Sequence, residues 1–309
     1  MKKYIFAILI VLLLVLSGCK GRGPRTNEIN EVYHIGTKGV EINFINNAPP
    51  EKVYEGDRID LSVEVRNAGS YPEGRTFKGK IELSGFDPAS ISGSWDGGNT
   101  IPTDFEGRTQ YNPEGGYTVM TYKDNDGVHV PFDADFYEPN ILLHTCYEYK
   151  TIADPIVCID PDPYDIVEEQ KVCNIGDTTL SGGQGAPIAV TKIEEEVGSD
   201  RIYFRIYIAN QGEGTVMLPR AYSDCPFDVE FEELDKVVAD IKLPYDASPD
   251  CSPKGTASDP IRLTDGKGYI FCKFSKPAEE SAYTTSLNIE LEYVYSSSIS
   301  KSLKIVNLK

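Results

Sequence analysis

From Arg58 to Gly69 the chain reads RIDLSVEVRNAG, with Leu61, Val63 and Val65 apolar at every second position. A period of two marks a strand with one face buried and the other wet. The pattern returns in RIYFRIYIANQG, from Arg201 to Gly212. Arg58 and Arg201, Ile59 and Ile202, Asn67 and Asn210, and Gly69 and Gly212 coincide, while Phe204, Ile206 and Ile208 replace Leu61, Val63 and Val65. Both strands end in Asn-x-Gly, residue types that tolerate positive φ where a strand turns. A second correspondence joins ILLHTCYEY, Ile141 to Tyr149, with LNIELEYVY, Leu287 to Tyr295. Each carries a Tyr-x-Tyr pair, then a short polar turn, then a second apolar run, Ile156–Ile159 or Leu303–Val306. Each segment predicts a closing β-hairpin with its tyrosines on the core face.

Between these landmarks the pattern is strand and turn. Asn125-Asp126-Gly127 separates YTVMTY from VHVPF and predicts a hairpin turn. Phe231, Leu234, Val237, Val238 and Ile241 have helical spacing, but VVADIKL also alternates, and strand is the favoured assignment. The repeat divides the chain into halves at 38–165, with an insertion near 84–114, and 166–309, each of ordinary domain size. IDPDPYDIVEEQ, with Pro161 and Pro163, links them as an extended spacer. Short alternating strands with frequent turns predict an all-β chain of two tandem immunoglobulin-like β-sandwiches.

Tyr4 to Leu16 is an unbroken apolar run of thirteen residues behind Lys2 and Lys3. It is short for a membrane span and has the length of a signal-peptide core. Leu16-Ser17-Gly18-Cys19 follows and resembles the lipobox of prokaryotic lipoproteins. The resemblance implies removal of residues 1–18, lipid attachment at Cys19 and a flexible tether over 19–37. A plain secretion signal or a retained anchor helix is the alternative. Either way the expected location is outside the cytoplasm; lipidation would place it on the extracellular face of the membrane. Loss of Lys2 and Lys3 would move the net charge from −18 to −20, leaving 28 basic residues against 48 acidic ones. Such a chain repels phosphate backbones and anionic headgroups, so no nucleic acid is expected and the membrane contact falls to the lipid.

The run APPEKVYEGDRIDLSVEVRNAG, Ala48 to Gly69, resembles the opening strands of the immunoglobulin-like, cell-adhesion-related (CARDB-like) domains of archaeal and bacterial surface proteins. The likeness covers some twenty residues of the first half and about twelve of the second. It implies spacer, adhesion or binding modules and carries no catalytic residue across. The expected partner is another cell-surface protein or a glycan.

Setting Cys19 aside leaves Cys146, Cys158, Cys173, Cys225, Cys251 and Cys272, an even set able to form three disulfides in an oxidising compartment. No C-x-x-C pair supports a zinc site. With the boundary near 166, two cysteines fall in the first half and four in the second, which permits three bridges within halves. Cys146–Cys158 joins the arms of one expected hairpin if both side chains share a face. If they point apart, Cys158–Cys173 around the linker is the better choice.

Catalytic signals are sparse. His34, His129 and His144 are the only histidines, no G-x-S-x-G elbow is present, and Ser181–Gly185 lacks the phosphate-loop lysine. No catalytic residue and no cofactor are expected. Asp124, Asp126, Asp133 and Asp135 around one turn, and Asp160, Asp162 and Asp165 at the linker, could hold calcium, but turn chemistry is the plainer account. Trp95, in the glycine-rich SGSWDGGN, either presents an aromatic face to a ligand or caps the end of the sandwich. The function these features predict is a membrane-anchored, non-enzymatic adhesion, spacer or assembly-partner module. The alternative is a carbohydrate-binding or hydrolase-type protein using Trp95 and nearby carboxylates.

Overall fold

The structure, a computed structural model, describes residues 33–72, 76–163, 171–277 and 281–308. The leader, Cys19, most of the tether and Asp165 lie outside them. Among the described residues no helix is long and apolar enough to cross a membrane.

The alternating runs become strands. β1 (Val40–Phe44), β3 (Asp60–Asn67), β6 (Tyr117–Asp124) and β5 (Gly93–Trp95) form one sheet in the order β1-β3-β6-β5. In the second half β10 (Thr178–Thr179), β11 (Ile188–Val197), β12 (Arg201–Asn210), β17 (Lys267–Ser275) and β15 (Asp250–Ser252) form another, in the order β10-β11-β12-β17-β15. Leu61, Val63 and Val65 point inward from β3, and Ile202, Phe204, Ile206 and Ile208 from β12, all buried. Burial of one face fixes the register, because a slip of one residue would turn every one of them to water.

The third large sheet belongs to both halves. Its order is β16 (Ile261–Arg262), β14 (Lys236–Lys242), β19 (Asn288–Ser302), β8 (Asn140–Ala153) and β4 (Gly79–Ser84), with β13 (Thr215–Met217) also on β19. β8 from the first half pairs antiparallel with β19 from the second, from Ile289↔Ala153 to Ser302↔Asn140. Tyr147 lies opposite Tyr295 and Tyr149 opposite Tyr293, so the two Tyr-x-Tyr pairs are related by a local two-fold axis at Glu148 and Val294. All four rings are buried and touch, with centroids 5.5 to 6.4 Å apart.

The expected closing hairpins do not form. After β8 the chain runs on as β9 (Ile156–Ile159), which pairs with β18 (Tyr283–Ser286) of the second half. After β19 it runs on as β20 (Lys304–Val306), which lies between β2 (Lys52–Tyr54) and β7 (Phe136–Tyr137) of the first. Each half thus lends its last strand to the other. Ser296–Ser298, read as a turn, stay in strand because β8 supplies a ladder along their whole length. The Ser297 hydroxyl lies 2.9 Å from that of Thr145 on the facing strand.

Other local expectations divide. Lys236–Lys242 is a strand, entered through a single 3-10 turn at Phe231–Glu233. Gly127 has φ +89°, as a tight turn requires, but VHVPF does not return as a ladder strand. Val128 and Val130 are nevertheless buried, and the backbone is held by Asp57 and Ser90. The insertion near 84–114 supplies core as well as loop: Ile91, Ile101 and Phe105 are buried from it.

The two Asn-x-Gly ends meet the two second tyrosines through one repeated motif. Tyr149 donates its hydroxyl to Asn67 Oδ1 at 3.0 Å and accepts the Tyr71 N–H, while Asn67 Nδ2 donates to the Tyr71 carbonyl. Tyr295 does the same with Asn210 Oδ1 at 3.0 Å and the Gly214 N–H, and Asn210 Nδ2 donates to the Gly214 carbonyl. The glycines are not there for positive φ. A Cβ at Gly69 would sit 2.0 Å from the Tyr149 hydroxyl, and one at Gly212 2.3 Å from that of Tyr295. Glycine leaves the space into which each tyrosine inserts.

All six cysteines pair: Cys146–Cys225, Cys158–Cys173 and Cys251–Cys272. The Cys146–Cys158 bridge is excluded by the face of β8. Tyr147 points into the main core, whereas Cys146 points to the opposite side, into a small cluster with Met217, Ala221, Cys225 and Val294. Two of the three bridges therefore cross the expected boundary near 166, and the scheme of bridges confined to halves gives way to two cross-links between them.

Candidate functional site

Between the shared sheet and the first strand of the fold lies a cavity of about 570 Å³. One wall is the outer edge of β1. Gly39 and Ile45 take part in backbone hydrogen bonds with Ala68 and Ser62 of the β3 side, so alternate residues of β1 face β3. The backbone groups of Val40, Ile42 and Phe44 therefore point away from β3. The Tyr147 hydroxyl occupies Val40. The other wall is β19 from Tyr295 to Ile299, the stretch over which the pairing with β13 ends, at Ser296. Gln211–Thr215 and Pro226 close one end. The lining is mixed and mainly polar, with Lys38, Glu41 and Glu213 beside hydroxyls, amides and main chain, and with Val40, Ile42 and Ile299 among them, which suits an extended, hydrogen-bonding ligand.

The equivalent edge in the second half is partly filled. There β10 lies on β11, with Thr178 opposite Ile193 and Thr179 opposite Lys192. The loop Ser181–Gly185 that follows docks on the first half. Gly185 N–H donates to the Gly36 carbonyl, and Ser70 donates through its N–H to Gly185 and through Oγ to the Gln184 carbonyl.

His144 borders the cavity. Its Nε2 lies 2.8 Å from Ser84 Oγ, a neighbour that spacing along the chain could not reveal because sheet pairing of β4 with β8 creates it. Burial lowers its pKa and so favours the neutral ring. A Ser–His contact becomes a nucleophile and base when a third group orients the imidazole and donors await an oxyanion. Here the ring packs edge-on against Phe227 at 5.2 Å, and among the described residues no carboxylate hydrogen-bonds it. His129 stands 4.0 Å from Glu55 on the surface, and His34 is exposed.

The acidic groups separate. Asp126, Asp133 and Asp135 are exposed, while Asp124 is buried with neither carboxylate oxygen hydrogen-bonded. Asp160 is buried, pairs with Lys171 at 2.7 Å and accepts the Asp162 N–H at 3.1 Å, which joins Lys171 to the residues that follow β9. Among the described residues no three His, Cys, Asp or Glu side chains converge as metal ligands. Trp95 ends a short edge strand instead of sitting in an open loop, and its ring packs edge-to-face on Tyr122 at 5.6 Å.

Sequence reading missed one buried acid. Glu195 on β11 is 7 % exposed, and Oε1 has no hydrogen-bond partner. Burial raises its pKa to about 8; the Cys158 N–H opposes the shift and the Asp160 carboxylate adds to it. It sits where β9 of the first half meets the second.

No protein-family model matches the chain, and no curated protein is similar enough to count as a relative.

Proposed function

We propose that this chain is a lipid-tethered extracellular module of two immunoglobulin-like sandwiches fused into one rigid body, acting in adhesion, spacing or assembly with a surface partner. The observation that supports it is the shared ladder of β8 and β19, reinforced by the exchange of β9 and β20 and by two disulfides across the halves. A hinge between tandem sandwiches would let a tethered partner site wander; a continuous sheet holds it at one distance and angle from the attachment point. Disulfides suit an oxidising compartment and resist unfolding outside the cell. The open edge of β1 in the polar cavity is the natural docking place for an extended segment of the partner.

Two measurements test this together. The membrane-extracted protein should begin at Cys19 and carry acyl or ether-lipid mass. Cells displaying it should retain surface-coated beads, and Cys19→Ser should release both chain and adhesion. A mature protein that keeps residues 1–18 with Cys19 unmodified, or adhesion equal in the two strains, would sink the proposal. In the rival that uses Trp95 for carbohydrate, the ligand would meet a half-buried ring that makes an edge-to-face contact with Tyr122.

A further inference from the structure

The outward face of the second-half sheet carries a set of side chains that the fold does not require. From β12 come Tyr203, Arg205 and Tyr207; from β17 come Tyr269 and Phe271. Register sets Arg205 opposite Phe271 and Tyr207 opposite Tyr269. Tyr203 stacks on Phe271 with centroids 5.7 Å apart, and Tyr207 lies 6.0 Å from Tyr269. The Arg205 guanidinium stands 5.8 Å from the Tyr269 ring and 5.9 Å from that of Phe271. Glu194 of β11 accepts from both Arg205, at 3.1 Å, and the Tyr207 hydroxyl, at 2.9 Å. Tyr269 is 54 % exposed.

The first half is an internal control. Asn67 and Asn210 superpose the two strands, and Val65↔Thr118 superposes on Ile208↔Gly268. On that alignment Tyr203, Arg205 and Tyr207 correspond to Asp60, Ser62 and Glu64, and Tyr269 and Phe271 to Val119 and Thr121. The same face of the sister sheet carries a single ring, Tyr117, beside Arg66, and no pair of rings across its strands. Cross-strand aromatic pairs stabilise a sheet by roughly 0.2–1 kcal/mol each, but the sister sheet does without them.

The chemistry of the face selects the ligand. Apart from Ala209, the outward positions of β12 and β17 near the rings are aromatic, charged or hydroxyl-bearing. An apolar peptide or lipid would find few contacts there. A sugar ring offers an apolar C–H face to an aromatic ring and vicinal hydroxyls to a guanidinium or carboxylate. Charge excludes the acidic kind: Arg205 pairs with Glu194, Lys192 with Asp177 and Glu194, and Lys273 with Asp250. The platform is close to neutral within a strongly acidic chain.

We propose that this face binds a neutral polysaccharide, with Tyr269 and Phe271 against sugar rings and Arg205 and Glu194 on their hydroxyls. The site is independent of the cavity beside β1 and of the lipid tether.

The full chain, detergent-extracted, should be retarded in native gels that contain a neutral polysaccharide from a set of soluble β-glucan, mannan and galactomannan. Alginate, an acidic polysaccharide, should have no effect. Tyr269→Ala combined with Phe271→Ala should weaken binding by about tenfold or more. Arg205→Gln, which removes no ring, should weaken it too, so that loss does not rest on one variant's folding. Tyr117→Ala, on the sister sheet, should leave it unchanged. Retardation by none of the neutral polymers, retardation by alginate alone, or binding by the Arg205 and double-ring variants as strong as the parent's overturns the proposal.

Discussion

Tyr149 shows how much one hydroxyl can organise. It joins the end of β3, through Asn67, to the middle of β8, and it occupies the volume that a side chain at residue 69 would need. Tyr149→Phe leaves Asn67 Oδ1 and the Tyr71 N–H short of a partner in a buried place. The expected loss is about 1–3 kcal/mol, read as a shift of the urea midpoint without change of slope. Glu195 makes a prediction of opposite sense. Its folded pKa, near 8, lies above the ordinary carboxylate value of 4.5. Between those values the native state holds a proton that the unfolded chain has released, so stability falls as pH rises through that window. Glu195→Gln keeps the shape and removes the titration. Its melting temperature should exceed that of the parent at pH 8, and the difference should vanish near pH 4.

At the scale of elements, the exchange of β9 and β20 makes short strands consequential. Leu303 and Ile305 are fully buried in the half that did not encode them. Burial of each side chain is worth roughly 1.5–3 kcal/mol, and domains are stable by only about 5–15 kcal/mol. A chain ending at Ser302 should therefore lose most of its stability, seen as a broadened and lowered melt. The disulfides should rank by the length of chain they close. Cys146–Cys225 spans 79 residues and Cys158–Cys173 spans 15. Restriction of the unfolded chain predicts about 4–5 kcal/mol for the first and about 3 kcal/mol for the second. Paired cysteine-to-alanine variants compared by denaturant melts will show the order; a larger loss for the shorter loop would contradict it.

At the scale of the whole molecule, the shared sheet ties the halves into one cooperative unit. Expressed alone, either half would expose the long edge of β8 or β19 and lack a borrowed strand, and open edges of that length invite aggregation. Each should fail to give a cooperative melt. Expressed together as 1–165 and 166–309 in an oxidising compartment, they should recover as a single species on a non-reducing gel and separate on reduction. Independent sharp melts of the two pieces would mean that the exchanged strands are dispensable.

Residue types along the chain were enough to establish the strands. Period-two alternation fixed which side chains turn inward on β3 and β12, because water penalises any other register, and the repeat was legible from Asn67, Asn210 and the two Tyr-x-Tyr pairs. An even cysteine set was equally plain. What alternation cannot carry is the partner of an edge: a strand that looks closed by its own hairpin looks the same when another half completes it. Only the tertiary structure decided that β8 pairs with β19, that Cys146 finds Cys225 as its partner, and that Ser84 meets His144. These contacts join residues far apart in the chain, and their free energy comes from the ladder and the packing around it, which no local pattern contains.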